Sequence, residues 1–305
     1  MVSLGEGNTP LVWAEVLGRK VAFKCEYQNP TGSFKDRGTA TLVSFLSSRG
    51  ITQAVEDSSG NAGASFAAYA SRVGIQATVF VPETASGPKR RQIEAYGAEV
   101  VAVPGSRANT AELTKRAAEK GLVYASHAYL PFNRPGYATL AYEVVEQLGG
   151  PPGSFLCPAG QGGLLLGAAR GFAALQASGI IRQAPRLIGV QAQACAPLFA
   201  FYQAGIPGLE SIVDELTVAE GIRVRNPVRL QAVVQVVAAS RGRFLTVSEA
   251  DIPPGRDELA HRGFYVETTS AVVWGALVQM LSTNDFDQIP EPVVVVLTGS
   301  GLKTA

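Results

Sequence analysis

The chain has 305 residues, enough for one large or two modest domains at roughly 100–200 residues per domain. Hydrophobic residues make up 47% and charged residues 17%, which excludes extensive disorder, and 26 basic against 25 acidic residues leave no electrostatic footprint for nucleic acid. Cys25, Cys157 and Cys195 are odd in number and widely spaced, and only two histidines occur, so neither a disulfide framework nor a multi-histidine metal centre is expected. No apolar run approaches the roughly 18 residues needed to span a bilayer, and the opening Met-Val-Ser-Leu-Gly-Glu-Gly is too polar for a signal peptide. The expectation is a cytoplasmic protein that works on a small molecule, without membrane or nucleic-acid partners.

Short β-rich runs alternate with longer helical stretches. In chain order the predicted strands cover 21–26, 53–57, 77–82, 99–104, 154–158, 187–191 and 293–297, and the predicted helices 35–49, 62–72, 88–96, 109–120, 137–148 and 163–177. This rhythm predicts an α/β architecture of open, mostly parallel sheets with helices on both faces. Val293-Val-Val-Val-Leu297 reads as a central strand covered on both sides. Turn-forming clusters at 29–32, 131–136 and 149–153 are the candidate boundaries, and the first two enclose a middle lobe of about 100 residues. A cleft between lobes is a natural ligand site.

Four segments carry chemistry. In Glu26-Tyr-Gln-Asn-Pro-Thr-Gly-Ser-Phe-Lys-Asp-Arg-Gly38 a turn feeds a helix, and Ser33 with Asp36 fits a capping box. That box puts Lys35 in the first helical turn, where the helix dipole disfavours an ammonium. A lysine there is either a solvated side chain or an amine nucleophile. In Asp57-Ser-Ser-Gly-Asn-Ala-Gly-Ala-Ser65 a strand gives way to a helix whose first N–H groups attract an anion, and Asn61 can donate to a ligand oxygen. An ordinary capped turn is the plain alternative.

Pro158-Ala-Gly-Gln-Gly-Gly-Leu-Leu-Leu-Gly167 repeats the strand-to-helix pattern with glycines that let backbone approach a phosphate. The dinucleotide fingerprint fails, because Leu165 stands where its third glycine falls and no Asp or Glu occurs from Leu148 to Leu209. The segment suits one phosphate, or is a structural glycine turn. Last, Val293-Val-Val-Val-Leu-Thr-Gly-Ser-Gly301 opens into hydroxyls at a strand's carboxyl end, where Thr298 and Ser300 can bond a heteroaromatic nitrogen or the segment is an ordinary strand-ending turn. An amine, an amide donor, a single-phosphate cradle and a strand-end hydroxyl together match the polar groups of pyridoxal 5'-phosphate.

These residues resemble the fold-type II pyridoxal-phosphate enzymes, tryptophan synthase β-like in fold, and among them the threonine synthase family. The match runs from near residue 4 to 303 and rests on 29–38, Ser58-Ser-Gly-Asn-Ala62, the Gly160–Gly163 loop and 297–303. The resemblance implies a large cofactor-binding domain from 1–28 and 134–305 and a small mobile domain at 29–133 that carries the lysine helix and the Ser-Gly-Asn loop. It also implies a homodimer and an amino-acid substrate.

On the same basis Lys35 is the Schiff-base lysine and general base, Asn61 meets the phenolic oxygen, Gly160, Gln161, Gly162, Gly163 and Leu164 wrap the phosphate, and Thr298 faces the ring nitrogen. Ser58, Ser59, Gly60, Asn61 and Ala62 are implied to receive the substrate carboxylate. Lys89 and Arg134 fall where similar enzymes carry cations for the phosphate of O-phosphohomoserine, which they convert with water to threonine, and Ser126 and Asn133 are candidate neutral donors beside them; a solvated surface residue is the plain alternative for each. Ala62 stands where these synthases commonly have Thr, and Ser300 where His is usual. A serine/threonine dehydratase or β-replacement enzyme is the alternative with the same cofactor, and a noncatalytic ligand-binding α/β protein is the distant one.

Overall fold

A computed structural model describes residues 1–85, 87–105, 107–212, 214–282 and 289–303, with 107 and 108 described by their backbone alone. The chain divides into two compact units. The first comprises Met1–Gly7, Gln28–Gly136 and Lys303; the second comprises Asn8–Tyr27 and Tyr137–Leu302.

The first unit is built on a four-stranded parallel sheet. Its strands are β3 (Gln53–Glu56), β4 (Gln76–Pro82), β5 (Glu99–Val103) and β6 (Val123–Tyr124), in the order β5-β4-β3-β6. Its helices are α1 (Lys35–Ser48), α2 (Asn61–Arg72), α3 (Pro88–Ala95) and α4 (Arg107–Glu119). The alanine-rich face of α2 and the apolar face of α1 bury Leu42, Val43, Leu46, Phe66 and Tyr69 with Val79, Val81 and Ile93. Nonlocal burial of this kind, rather than helix propensity, supplies most of the stability of such helices.

Residues 1–7, Gln28, residues 134–136 and Lys303, all of which the resemblance assigns to the large domain, lie in this first unit. Hydrogen bonds explain the placement of residues 1–7. Val2 N–H donates to Ser44 Oγ at 2.7 Å, the Tyr69 hydroxyl to Glu6 Oε2 at 2.7 Å, and Gly7 N–H to Asn29 Oδ1 at 2.9 Å.

The second unit carries a six-stranded sheet among the described residues. Strands β1 (Leu11–Val16), β2 (Arg19–Lys24), β7 (Ser154–Pro158), β8 (Arg186–Ala192), β9 (Arg243–Val247) and β10 (Val293–Val296) lie in the order β1-β2-β10-β7-β8-β9. Only the β1–β2 pair is antiparallel, joined by Leu17 and Gly18 at φ 48° and 74°, the left-handed pair that a two-residue hairpin loop demands. Helices α5 (Arg134–Leu148), α6 (Gly163–Ala177), α7 (Pro197–Glu210), α8 (Leu230–Ala239), α9 (Ile252–His261) and α10 (Thr268–Ser282) complete the chain. Every residue of β10 is buried, as a central strand covered on both faces requires.

The fold is therefore α/β with mainly parallel sheets. Strands β1, β6 and β9 were not read from the sequence: β1 is a half-exposed edge, β6 has two residues, and β9 is short and partly exposed. No helix among the described residues is long and apolar enough to cross a membrane.

Candidate active site

In the first unit the candidate residues collect at the carboxyl ends of neighbouring parallel strands, the edge where open α/β sheets bind ligands. Strand β3 leads into Ser58–Ala62, its neighbour β4 leads through the following turn to Lys89 on α3, and β6, on the other side of β3, leads to Ser126, Asn133 and Arg134. Ser58, Ala62, Ser126 and Asn133 are buried, while Ser59, Gly60, Asn61, Lys89 and Arg134 are half-buried.

No side chain caps α2, whose N-cap is Gly60. Its first turn therefore presents backbone N–H groups, with no acidic residue there to oppose an anion. Gly63 is required by a close approach, because a Cβ at that position would lie 1.9 Å from the carbonyl oxygen of Ser58.

Lys35 is the first residue of α1, half-buried, with its Nζ 4.9 Å from the centre of the Phe34 ring. The expected capping box does not form. Phe34 is the N-cap, no side chain caps the helix, and the Ser33 hydroxyl is buried without a hydrogen-bond partner among the described residues. Asp36 turns instead to Thr31 and α2, accepting from Thr31 N–H at 2.7 Å, Thr31 Oγ1 at 2.6 Å and Ser65 Oγ at 2.6 Å.

Three donors on one buried carboxylate satisfy it better than the box, which explains the choice. Burial pushes the Asp36 carboxyl above its ordinary range, against the opposing pull of Ser65, Thr31 and Lys303. Thr31 O in turn accepts from Lys303 Nζ at 2.8 Å and Gln92 Nε2 at 3.1 Å. Thus the turn before Lys35 is clamped to α2, to α3 and to Lys303. Sequence reading missed Thr31, Ser65, Gln92 and Lys303 as supports, since nothing local in the sequence announces contacts this distant.

In the second unit β7 and β10 are parallel neighbours, with Leu156 opposite Val295. Their carboxyl ends deliver Gly160–Leu164 and Thr298 side by side. Gly162 is the N-cap of α6 at φ 73°, and a Cβ there would lie 2.4 Å from Val233 Cγ2. No other residue type suits that combination. A Cβ on Gly160 would meet Ile222 Cα at 3.1 Å.

The Gln161 amide oxygen accepts from Val228 N–H at 3.0 Å. Helix α6 has no side-chain cap and no acid in its first turn. Thr298 is buried and its N–H donates to Ser270 Oγ at 2.8 Å, fixing the residue, while Ser300 Oγ accepts from Leu302 N–H at 3.3 Å. Glu220 is exposed at the start of a short 3-10 turn, whose Gly221 N–H donates to Thr269 Oγ1 at 3.0 Å.

These donor sets fit pyridoxal phosphate: an uncapped helix start whose glycines a Cβ would crowd suits a phosphate, and a buried hydroxyl residue stands on the adjacent strand end. The sequence matches the family of pyridoxal-phosphate dependent enzymes over residues 2–299. It is 32% identical to the threonine synthase of Methanocaldococcus jannaschii over 99% of this chain and 76% of that protein. Against the threonine synthase of Mycobacterium leprae it is 33% identical over 99% of this chain and 83% of the other.

Among solved structures, maize serine racemase superposes with a TM-score of 0.83 at 21% identity, covering 96% of this chain and 88% of that one. A T.th. threonine deaminase gives 0.79 at 27% identity, covering 96% and 92%. The chain belongs to the pyridoxal-phosphate dependent enzyme family and has the fold-type II architecture. Its cofactor is pyridoxal phosphate.

Proposed function

We propose that this enzyme carries out elimination and replacement on a phosphorylated amino acid, converting O-phosphohomoserine and water to threonine and phosphate. The observation that carries this reading is the strand-end cluster of the first unit, where the Ser58–Ala62 turn is flanked by Lys89 on one side and by Ser126, Asn133 and Arg134 on the other. A helix N-terminus suits one carboxylate, and two cations with neutral donors suit a second anion, so the cluster matches a substrate with a negative group at each end. Similarity to threonine synthases across 99% of the chain supports the same reaction.

Lys35 would hold the cofactor through its amine, and its Nζ would accept the substrate's α-proton. Asn61 would donate to the cofactor's phenolic oxygen, Gly160, Gln161, Gly162, Gly163 and Leu164 would hold its phosphate through backbone N–H groups, and Thr298 would bond its ring nitrogen. When bound, the cofactor supplies an electron sink that delocalises the charge left by proton removal. The N–H groups at Ser58–Ala62 orient the substrate carboxylate. Lys89 and Arg134, with Ser126 and Asn133, neutralise the departing phosphate.

Purified protein is expected to be yellow and to release phosphate from O-phosphohomoserine. Lys35→Ala is expected to lose the visible band and at least about 10³-fold in turnover. Borohydride labelling of another lysine would refute the assignment. The second reading, a serine/threonine dehydratase, is favoured by the likeness to threonine deaminase and by Ala62, which puts a methyl where the synthase family commonly has a hydroxyl. Release of pyruvate or 2-oxobutyrate without phosphate would select it. A homodimer is proposed from the family resemblance and is checked by light scattering.

A further inference from the structure

The imidazole of His127 has no part in the chemistry above, yet it joins two segments which that reading assigns to the substrate, so any role for it rests on that reading. Strand β6 is only two residues long, and the next backbone bond to β3 runs from Ala125 N–H to Val55 O at 2.8 Å. Beyond it, residues 126–134 fold on themselves. Ser126 Oγ accepts from Ala128 N–H and Tyr129 N–H at 3.2 Å each, Leu130 N–H donates to Ser126 O at 3.1 Å, and Asn133 Nδ2 donates to His127 O at 2.6 Å.

The far end of this turn is fixed to α1. Thr41 Oγ1 donates to Phe132 O at 2.7 Å, and the Phe132 ring stacks on Phe45 with centroids 3.7 Å apart. Its near end is tied to β3 by a side-chain bond, with His127 Nδ1 2.5 Å from Glu56 Oε1. A carboxylate can only accept, so Nδ1–H donates. Glu56 is 1% exposed, ends β3, and is followed directly by Asp57 and Ser58, so the bond reaches the root of the carboxylate turn. Asp57, also buried, offers a third ligand atom within 4.8 Å of the other two.

We propose that His127 is a positioning residue. By donating to Glu56 it holds the turn bearing Ser126, Asn133 and Arg134 in register with Ser58–Ala62, and so sets the distance at which the two anionic ends of the substrate are gripped. The pair acts on substrate recognition, through the two turns that it joins.

Two neutral amides test this. The Nδ2 of Asn occupies the place of histidine Nδ1, whereas the amide of Gln reaches one atom further and misses it. For O-phosphohomoserine, His127→Gln is expected to raise KM about tenfold, the scale of one hydrogen bond to a charged group, with kcat changed less than about twofold. His127→Asn is expected to keep KM within about twofold, and Glu56→Gln, which retains the acceptor, likewise.

The visible band is expected to be unchanged in all three variants, and the melting temperature to fall in His127→Gln alone, which removes a donor from the buried Glu56 carboxylate. Hydrogen exchange of the 126–134 amides is expected to quicken in His127→Gln alone. Equal KM values for the Gln and Asn variants, with the band intact, would overturn the proposal and leave the reaction assignment standing. Wild-type protein without a band would strike at the reaction assignment itself. An EDTA sensitivity of the wild-type KM that His127→Gln abolishes would also overturn the proposal, since Glu56, Asp57 and His127 would then be holding a cation.

Discussion

Helices α2 and α6 open alike, each rising from the carboxyl end of a parallel strand through small residues with no side-chain cap. They differ in what they leave at the mouth. The α6 loop is glycine at 160, 162 and 163, and its one long polar side chain, Gln161, is committed to Val228 N–H. The α2 turn keeps Ser59 and Asn61 half-buried at its start, while Ser58 Oγ accepts from Gly60 N–H at 3.3 Å. A mouth of backbone N–H groups suits a ligand that never changes, such as a cofactor phosphate. One that keeps side chains can sort among ligands, as a substrate site must.

Substitutions at the two mouths test that division. The largest effect is expected for Gly63→Ala, whose Cβ would collide with the Ser58 carbonyl and displace the turn. Denaturant melts are expected to show a loss of about 3 kcal/mol, with KM for the amino acid raised. Gly162→Ala meets both a left-handed φ and Val233. A loss of about 2 kcal/mol is expected, with cofactor affinity falling at least about tenfold in a spectroscopic titration. Should Gly63→Ala weaken the cofactor more than the substrate, the two mouths have been given the wrong ligands.

Smaller effects sharpen the same contrast. Gln161→Ala is expected to cost about 1 kcal/mol in a thermal melt, through the orphaned Val228 N–H, while cofactor affinity stays within about threefold. A larger loss of affinity would mean that the Gln161 side chain itself touches the cofactor. The least change is expected at the thiols. Burial pushes Cys25 up to about 11 and raises Cys157 as well, so a thiol reagent at about pH 8 finds roughly one thiolate in a thousand at Cys25 and is expected to label neither before unfolding.

Legibility followed range. The runs at 53–57, 77–82, 154–158 and 293–297 became strands to within a residue or so, because buried parallel strands write themselves as continuous apolar runs. Strand β6 was invisible because two residues carry no periodicity, and β9 because its half-exposed pattern resembles a loop. The glycine loop was legible because close backbone approach forbids a Cβ wherever the fold places it. The Ser33–Asp36 box was misread for the opposite reason. Its spacing is correct, but Thr31 and Ser65 give the carboxylate more donors, and Ser65 lies 29 residues away. The His127–Glu56 bond spans 71 residues and has no local trace.

By itself, the order of residues determined the alternation of strand and helix, the family, the cofactor, and the small-residue turns at 58–62 and 160–163. These are local matters of φ, side-chain size and burial pattern, settled within a few positions of chain. Tertiary structure alone decided that the turns at 58–62 and 126–134 share one sheet edge, that residues 1–7 and Lys303 pack with the lysine helix, and that Asp36 serves a clamp in place of a cap. Those outcomes depend on strand order and on buried polar groups finding partners far along the chain, and a buried donor or acceptor takes whichever partner the fold brings within reach.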